Sequence, residues 1–225
     1  PSSSLSLSTT LGLLSPQTVA TTFSGPHASQ SGSIPPDAVG AVGPSQVLVL
    51  SNGRFQVFSK TGVLGGLNVT DDTFFASVLP SGHSPCDPRV TYDRLSGRWF
   101  VVEITCGGVP TGAANSIVIG VSSGSTITNT SSFTFYRFQQ DFAGTNVDTG
   151  GFADYETLGV DANALYIGAN MFNAAGNFYG TTGYVVNKAN LLAGTLSVTA
   201  FRGLGSCPSS CTAGRSSASA RRTLS

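Results

Sequence analysis

Residues 87–93 read DPRVTYD, and after a polar turn the apolar run WFVV occupies residues 99–102. Residues 154–161 read DYETLGVD, and after a short turn the run LYIG occupies residues 165–168. Each unit is an aspartate, a short strand that ends in a second aspartate, a tight turn and an apolar strand. The first aspartates of the two units lie 67 residues apart. This self-similarity predicts an internal structural repeat.

The repeat predicts four-stranded antiparallel meanders. Each unit is followed by two more strand candidates, and a shorter version of the unit begins at Asp37 and continues into residues 47–50. Only residues 188–192 could make a turn of helix. The pattern is typical of an all-β sandwich, barrel or propeller, and three meander units predict a β-propeller or a large part of one. The strands predicted after the first hairpin are 89–93, 98–105, 116–122, 133–138, 158–161, 164–172, 183–187 and 196–202.

The strongest local signal is Asn52-Gly53 between the apolar runs at residues 47–51 and 54–58. Asn-Gly between strands predicts a hairpin, since a type I′ turn needs positive φ at both central residues. The hairpin would place Leu50 opposite Phe55.

Composition indicates an extracellular β-protein. Only 10% of the 225 residues are charged, with 11 basic and 11 acidic residues, against about 25% in an average domain. Serine, threonine, asparagine and 28 glycines would wet the surface instead. No basic patch carries interleaved aromatics, so nucleic acid is not an expected partner. No apolar run reaches the roughly 18 residues of a membrane span. The expected location is outside the cell.

Cys86 and Cys106 flank the hairpin of residues 89–93 and 98–105. If this hairpin is centred on Ser96, the two cysteines lie directly opposite each other. Opposed residues have Cβ atoms about 4.5–5.5 Å apart, close to disulfide reach, so a Cys86–Cys106 disulfide is predicted. A zinc site is the alternative, but the chain offers a single C-x3-C spacing and two distant histidines.

The chain resembles a family of secreted bacterial β-propeller-like proteins over about residues 35–195. The resemblance implies the fold and secretion, and because that family has no settled activity it carries over no catalytic residue. The matching segments are 36–44, 52–55 with 60–62, 87–93 with 97–100, 152–155 and 169–172.

The expected organisation is a Ser/Thr/Gly-rich leader at residues 1–33, propeller-type repeats at 34–202 and a disordered tail at 203–225. Three blades are fewer than the four to eight that close a ring. Either the leader supplies further strands, or the chain is incomplete, or it closes by forming a homo-oligomer.

Asp37, Asp87 and Asp154 each precede the first strand of a unit. In a propeller that strand lines the central channel, so the three carboxylates are expected to converge at one mouth. Such a cluster suits calcium or a hydroxyl-rich ligand, and Arg89 and Tyr155 are predicted to join Asp37 and Asp87 in binding it. The alternative is that each aspartate caps a turn and accepts backbone hydrogen bonds.

Two further sites are predicted from carboxylates. The glycine-containing loop at residues 141–148 would supply Asp141 and Asp148, with Asp154, to a calcium ion, unless it is a solvated loop. Glu103 lies within an apolar strand, and with Asp154 it would form the carboxylate pair of a glycoside hydrolase. The alternative is that strand alternation places Glu103 on a solvent-exposed face of the sheet.

Three functions therefore remain open at this point. The first is a secreted binding module for a glycan or protein ligand, the second a propeller glycoside hydrolase, and the third a purely structural surface module.

Overall fold

The computed structural model describes residues 18–110, 112–144 and 150–205. Residues 1–17 of the predicted leader and 206–225 of the predicted tail thus lie outside the described residues. The elements are α1 (Ala28–Ser31), β1 (Val39–Val42), β2 (Gln46–Ser51), β3 (Arg54–Ser59), β4 (Leu64–Val69), α2 (Asp71–Phe75), β5 (Ser84–Asp93), β6 (Arg98–Gly107), β7 (Ser116–Ser122), β8 (Phe133–Gln139), β9 (Phe152–Val160), β10 (Ala164–Phe172), β11 (Phe178–Asn187), α3 (Lys188–Leu192) and β12 (Val198–Leu204).

The twelve strands form three antiparallel meanders of four strands each: sheet 1 (β1–β4), sheet 2 (β5–β8) and sheet 3 (β9–β12). The all-β prediction and the three four-stranded units are confirmed, and so is the helical turn at Lys188–Leu192. β4, α1 and α2 were not predicted, so the expectation that only residues 188–192 could form a helical turn was wrong. The first strands are neighbours, β1 contacting β5 and β5 contacting β9. Within the described residues the sheets do not close into a ring.

Alternation along the strands gives each sheet two faces. We call the side toward the next sheet in chain order the following face, and the opposite side the preceding face. Leu48, Leu50, Phe55 and Val57 on the following face of sheet 1 pack against Trp99, Val101, Val118 and Phe133 on the preceding face of sheet 2. Phe100, Val102, Ile117 and Ile119 on the following face of sheet 2 pack against Leu165, Ile167, Tyr184 and Val186 of sheet 3.

Helix α2 fills the space between sheets 1 and 2 with Phe74 and Phe75, which are buried. Thr70 caps the helix by accepting a hydrogen bond from the Thr73 amide. The ring of Phe74 lies 4.9 Å from that of Phe133. Gly120 makes room for it, since a Cβ there would be 3.1 Å from the Phe74 ring.

The Asn52-Gly53 hairpin has the predicted register, with Leu50 opposite Phe55. The turn type was wrong, however. Only Gly53 has positive φ, at 83°, whereas a type I′ turn needs it at both residues. The Asn52 side chain forms hydrogen bonds with neighbouring segments, as described below, and these bonds hold Asn52 outside the positive-φ region.

The Cys86–Cys106 disulfide is confirmed, with a Cα–Cα distance of 5.9 Å. The predicted direct opposition of the two cysteines was wrong, because Cys86 pairs with Ile104. The hairpin is centred between Leu95 and Ser96 and not on Ser96, since Asp93 pairs with Arg98, and a β-bulge between Cys86 and Arg89 inserts an extra residue in β5 that shifts the register further. The cysteines therefore lie diagonally, still within disulfide reach.

Two buried asparagines connect each sheet to the first strand of the next. Asn52, after β2, accepts a hydrogen bond from the Asp87 amide of β5 at 2.7 Å. Asn115, before β7, accepts one from the Ala153 amide of β9 at 2.9 Å and donates to the Ala153 carbonyl at 2.8 Å. Both asparagines lie between the second and third strands of their sheets, so the same type of hydrogen-bonded contact joins successive sheets.

We expect Asn52→Ala and Asn115→Ala each to lower the free energy of unfolding by about 2–4 kcal/mol. Each change leaves a buried amide of the next sheet without its acceptor. The measurement is urea unfolding followed by far-ultraviolet circular dichroism.

Asn173→Ala is the matched control, because among the described residues the side-chain oxygen Oδ1 of Asn173 accepts from the Ala175 and Asn177 amides of its own turn. It should cost about 1 kcal/mol or less. Equal losses in all three variants would contradict the bridging role.

Candidate functional site

Four carboxylates meet where the N-terminal ends of β1, β5 and β9 lie side by side. They are Asp37, Asp87, Asp154 and Glu156, and we call this cluster the aspartate junction. Asp37 directly precedes β1, while the other three lie in the first half of β5 or β9. The structure thus brings the three repeated aspartates together and adds Glu156, which was not predicted to join them.

Asn52 organises the first half of the junction. Its Nδ2 donates to Asp37 Oδ2 at 2.7 Å and to the Pro35 carbonyl at 3.0 Å. Its Oδ1 accepts from the Asp87 amide at 2.7 Å. The Asp37 side chain also lies close enough to Asp87 to raise the pKa of that carboxyl group, both by its negative charge and by hydrogen bonding.

The backbone at the junction has an uncommon conformation in each unit. Asp37, Asp87 and Tyr155 have φ of 39°, 60° and 51°, the only positive values among described residues other than glycine. Aspartate tolerates this region better than most residues, whereas a tyrosine there is an outlier. Such strain clusters at functional sites because the surroundings must hold it in place.

The β-bulges change which residues of the two repeat units are structurally equivalent. In β5 the positive-φ residue is Asp87, and in β9 it is Tyr155, 68 residues later instead of 67. Register irregularities lie on both strands at these places. Asp154 therefore stands one residue before the backbone equivalent of Asp87, although its carboxylate still reaches the same cluster.

The pKa of Asp87 is raised from 3.8 to about 6. Burial is the main cause, followed by the negative charges of Asp154 and Asp37 and the hydrogen bond with Asp37, while Arg89 opposes the shift. A carboxyl group with this pKa changes its charge just below neutral pH.

Glu156 is fully buried, and neither of its carboxylate oxygens has a hydrogen-bond partner among the described residues. Burial, followed by the charge of Asp87, raises its pKa well above the ordinary value. Burial also raises the pKa of Asp154, against a backbone hydrogen bond from Tyr155. Glu156 is therefore neutral under conditions that ionise an ordinary glutamate.

An arginine and an aromatic ring form the rim of the junction. The Arg89 guanidinium of β5 lies 4.5 Å from the centre of the Tyr155 ring of β9, a cation–π contact between two sheets. Tyr155 is 54% exposed. The predicted ligand-binding residues Asp37, Asp87, Arg89 and Tyr155 thus lie in one region.

The predicted calcium ligands are not gathered in the part of the chain that the structure describes. Asp148 lies outside it, and Asp141 is buried after β8. Among the described residues, the one group of three candidate ligand atoms within 4.8 Å of each other combines Asp87 with Cys86 and Cys106. Those sulfurs are joined in the disulfide and offer no thiolate. Calcium binding stays a prediction.

The predicted hydrolytic pair is divided between two environments. Glu103 on β6 is fully buried and shares its face with Trp99 and Val101, toward sheet 1. Asp154 is half-buried on the first strand of sheet 3. A general acid must touch the glycosidic oxygen, and in this conformation Glu103 presents no surface for that contact.

Comparisons with protein families, with curated proteins and with solved structures found no match. The likeness to secreted propeller-like proteins therefore stays a prediction. No helix among the described residues has the length and apolar character needed to cross a membrane.

We expect the free energy of unfolding to decrease as pH rises from about 4 through 6. The folded pKa of Asp87 lies above its ordinary value of 3.8, so the unfolded chain binds fewer protons in that interval. Asp87→Asn, which keeps a residue suited to positive φ, should flatten this slope and raise stability at pH 7 by up to about 3 kcal/mol. Urea unfolding at several pH values measures it.

Asp161→Asn is a control of opposite sign, since backbone hydrogen bonds from Ala164 and Asn163 lower the pKa of Asp161. Replacing the Asp161 carboxylate should lower the free energy of unfolding at neutral pH. If Asp87→Asn destabilises the protein equally at every pH, Asp87 is not a buried charge and the account of the junction is wrong.

Proposed function

We propose that the chain is a propeller-type binding module and that the aspartate junction with its rim binds a glycan. The observation that carries this proposal is the convergence of strained first-strand residues from three sheets beside an exposed aromatic ring. The Cys86–Cys106 disulfide supports a location outside the reducing cytoplasm.

The rim residues suit a polyhydroxylated ligand. Carboxylates accept hydrogen bonds from hydroxyl groups, and guanidinium nitrogens donate to hydroxyl or ring oxygens. The Tyr155 ring offers an apolar surface to the C–H faces of a sugar, and the Arg89 contact holds that ring in place. Asp37 and Asp154 are half-buried, so each keeps some surface toward a ligand.

Charge favours a neutral glycan over an anionic ligand. The charge of Arg89 lowers the pKa of both Asp87 and Glu156, whereas the neighbouring carboxylates raise it. An added anion would meet the same repulsion that raises the pKa of Asp87. A neutral sugar avoids this cost and gains the available acceptors.

The position of Glu103 disfavours the predicted hydrolytic pair of Glu103 and Asp154. A glycosidase needs two accessible carboxyl groups on either side of the scissile bond. Here Glu103 faces the interface of sheets 1 and 2, and Glu156 is fully buried. Neither can contact a ligand without rearrangement.

The test is isothermal titration calorimetry with a panel of neutral oligosaccharides. Tyr155→Asn removes the ring and keeps a residue that tolerates positive φ, so it should weaken binding roughly tenfold. Tyr166→Ala is the control, because Tyr166 is exposed on β10 and lies outside the rim.

Asp37→Asn should also weaken binding, since it replaces an acceptor oxygen by a donor. Loss of affinity in the Tyr166→Ala variant alone would move the site away from the junction. Sugar cleavage that disappears in Glu103→Gln would replace the binding module by the hydrolase.

A further inference from the structure

The turn between β2 and β3 carries the only Asn-Gly dipeptide of the sequence, Asn52-Gly53. An asparagine in this pair is chemically labile, because the amide nitrogen of the next residue can attack its side-chain carbonyl carbon and glycine has no side chain to hinder the attack. Both residues are buried in the folded chain. The turn therefore combines a reactive pair with the side chain that organises the aspartate junction.

Deamidation would replace the Asn52 amide by a carboxylate. The Gly53 nitrogen loses its proton and forms a bond to Cγ of Asn52, the bond from Cγ to Nδ2 breaks, and Nδ2 leaves as ammonia with that proton. Water then opens the cyclic imide and leaves aspartate or isoaspartate at this position. The net reaction consumes water and releases ammonia, and it needs no further reactant.

Contacts with α1 and α2 restrain the attacking nitrogen. The Gly53 amide donates a hydrogen bond to Oδ2 of the buried Asp71 at 2.7 Å, and Oδ1 of Asp71 accepts from the Asp72 amide at 2.8 Å. Attack requires removal of the Gly53 amide proton, which would leave a negatively charged nitrogen facing the Asp71 carboxylate. A Cβ placed on Gly53 would collide with the Ser31 carbonyl oxygen, so α1 covers the turn closely and shields this amide from water.

The side chain under attack is restrained as well. Asn52 Nδ2 donates to Asp37 Oδ2 and to the Pro35 carbonyl, and Oδ1 accepts from the Asp87 amide. Ring closure requires Cγ of Asn52 to approach the Gly53 nitrogen to bonding distance, and these three hydrogen bonds resist that movement. The bonds that organise the junction therefore also oppose the reaction.

We propose that Asn52-Gly53 is a latent deamidation site, which Asp71 and the cover of α1 keep unreacted in the folded chain and whose reaction disrupts the aspartate junction. An aspartate at position 52 has no N–H to donate to Asp37 or to the Pro35 carbonyl, and it adds a negative charge among buried carboxyl groups. Isoaspartate in addition lengthens the main chain of the turn by a methylene group.

The effect on the junction is tested with Asn52→Asp, which reproduces one product. It should lower the Tm relative to the wild type, and it should weaken binding of any neutral oligosaccharide that the wild type binds by roughly tenfold or more. Asn173→Asp is the control, because Oδ1 of Asn173 accepts from the Ala175 and Asn177 amides and the substitution keeps an acceptor there.

Only the affinity measurement rests on the proposed glycan function. An unchanged Tm in Asn52→Asp would overturn the claim that deamidation disrupts the junction. A wild type that binds no oligosaccharide would overturn the glycan proposal, while the Tm values and the reaction rates would still decide the present one.

The protection is tested by peptide mapping with mass spectrometry, which measures the conversion of Asn52 while the full chain is kept at mildly alkaline pH. Asn52 should react roughly tenfold or more slowly in the folded protein than in the same protein unfolded in urea. Asp71→Ala removes the acceptor of the Gly53 amide and should accelerate the reaction of the folded chain about tenfold. Circular dichroism identifies a temperature at which each variant is folded.

Two variants serve as controls for the rate. Asp72→Ala removes the neighbouring carboxylate in the first turn of α2 and keeps the Gly53 contact, so it should leave the rate unchanged. Asn115→Ala weakens the contact between sheets 2 and 3 without touching the turn. Equal acceleration in Asp71→Ala and Asn115→Ala would overturn the proposal, because general stability would then set the rate, and so would equal rates in folded and unfolded wild type. If Asp71→Ala does not fold, Asp71→Asn, which loses the charge and keeps an acceptor oxygen, should also accelerate the reaction.

Discussion

The contact between the first strands of successive sheets is the constraint on which the rest of the structure depends. Each of these strands is a sheet edge, and an edge with unsatisfied backbone groups cannot simply be buried. Asn52 and Asn115 meet this requirement by bonding to the amides of Asp87 and Ala153 on the next first strand. The apolar faces then pack on both sides of sheet 2.

The same contact concentrates carboxylates where burial is costly. β-Bulges in β5 and β9 and the positive φ of Asp37, Asp87 and Tyr155 turn the side chains there away from the regular alternation. Burial and mutual repulsion raise the pKa of Asp87 and of Glu156. Ionising these buried carboxyl groups therefore destabilises the folded state. A cluster of carboxyl groups with shifted pKa values is the pattern expected of a binding site.

Features that depend on neighbours along the chain were predictable from sequence. The Asn52-Gly53 hairpin, the disulfide between Cys86 and Cys106 and the meanders follow from local patterns of turns and apolar residues. The bulge at Asp87 was not predictable, because it is held by the Asn52 side chain of another sheet. The burial of Glu156 depends on how sheets 2 and 3 pack together, and the alternation of apolar and polar residues along β9 does not predict it.

The most direct test of the account is a carbon-13 NMR titration of the side-chain carboxyl groups. We predict that Asp87 titrates near pH 6 and that Glu156 stays protonated well above the ordinary glutamate range. Asp161, which is held by backbone hydrogen bonds, should titrate below its ordinary value of 3.8 and serves as the internal reference. Ordinary pKa values for both Asp87 and Glu156 would contradict the account, because those carboxylates would then not be buried together where three sheets meet.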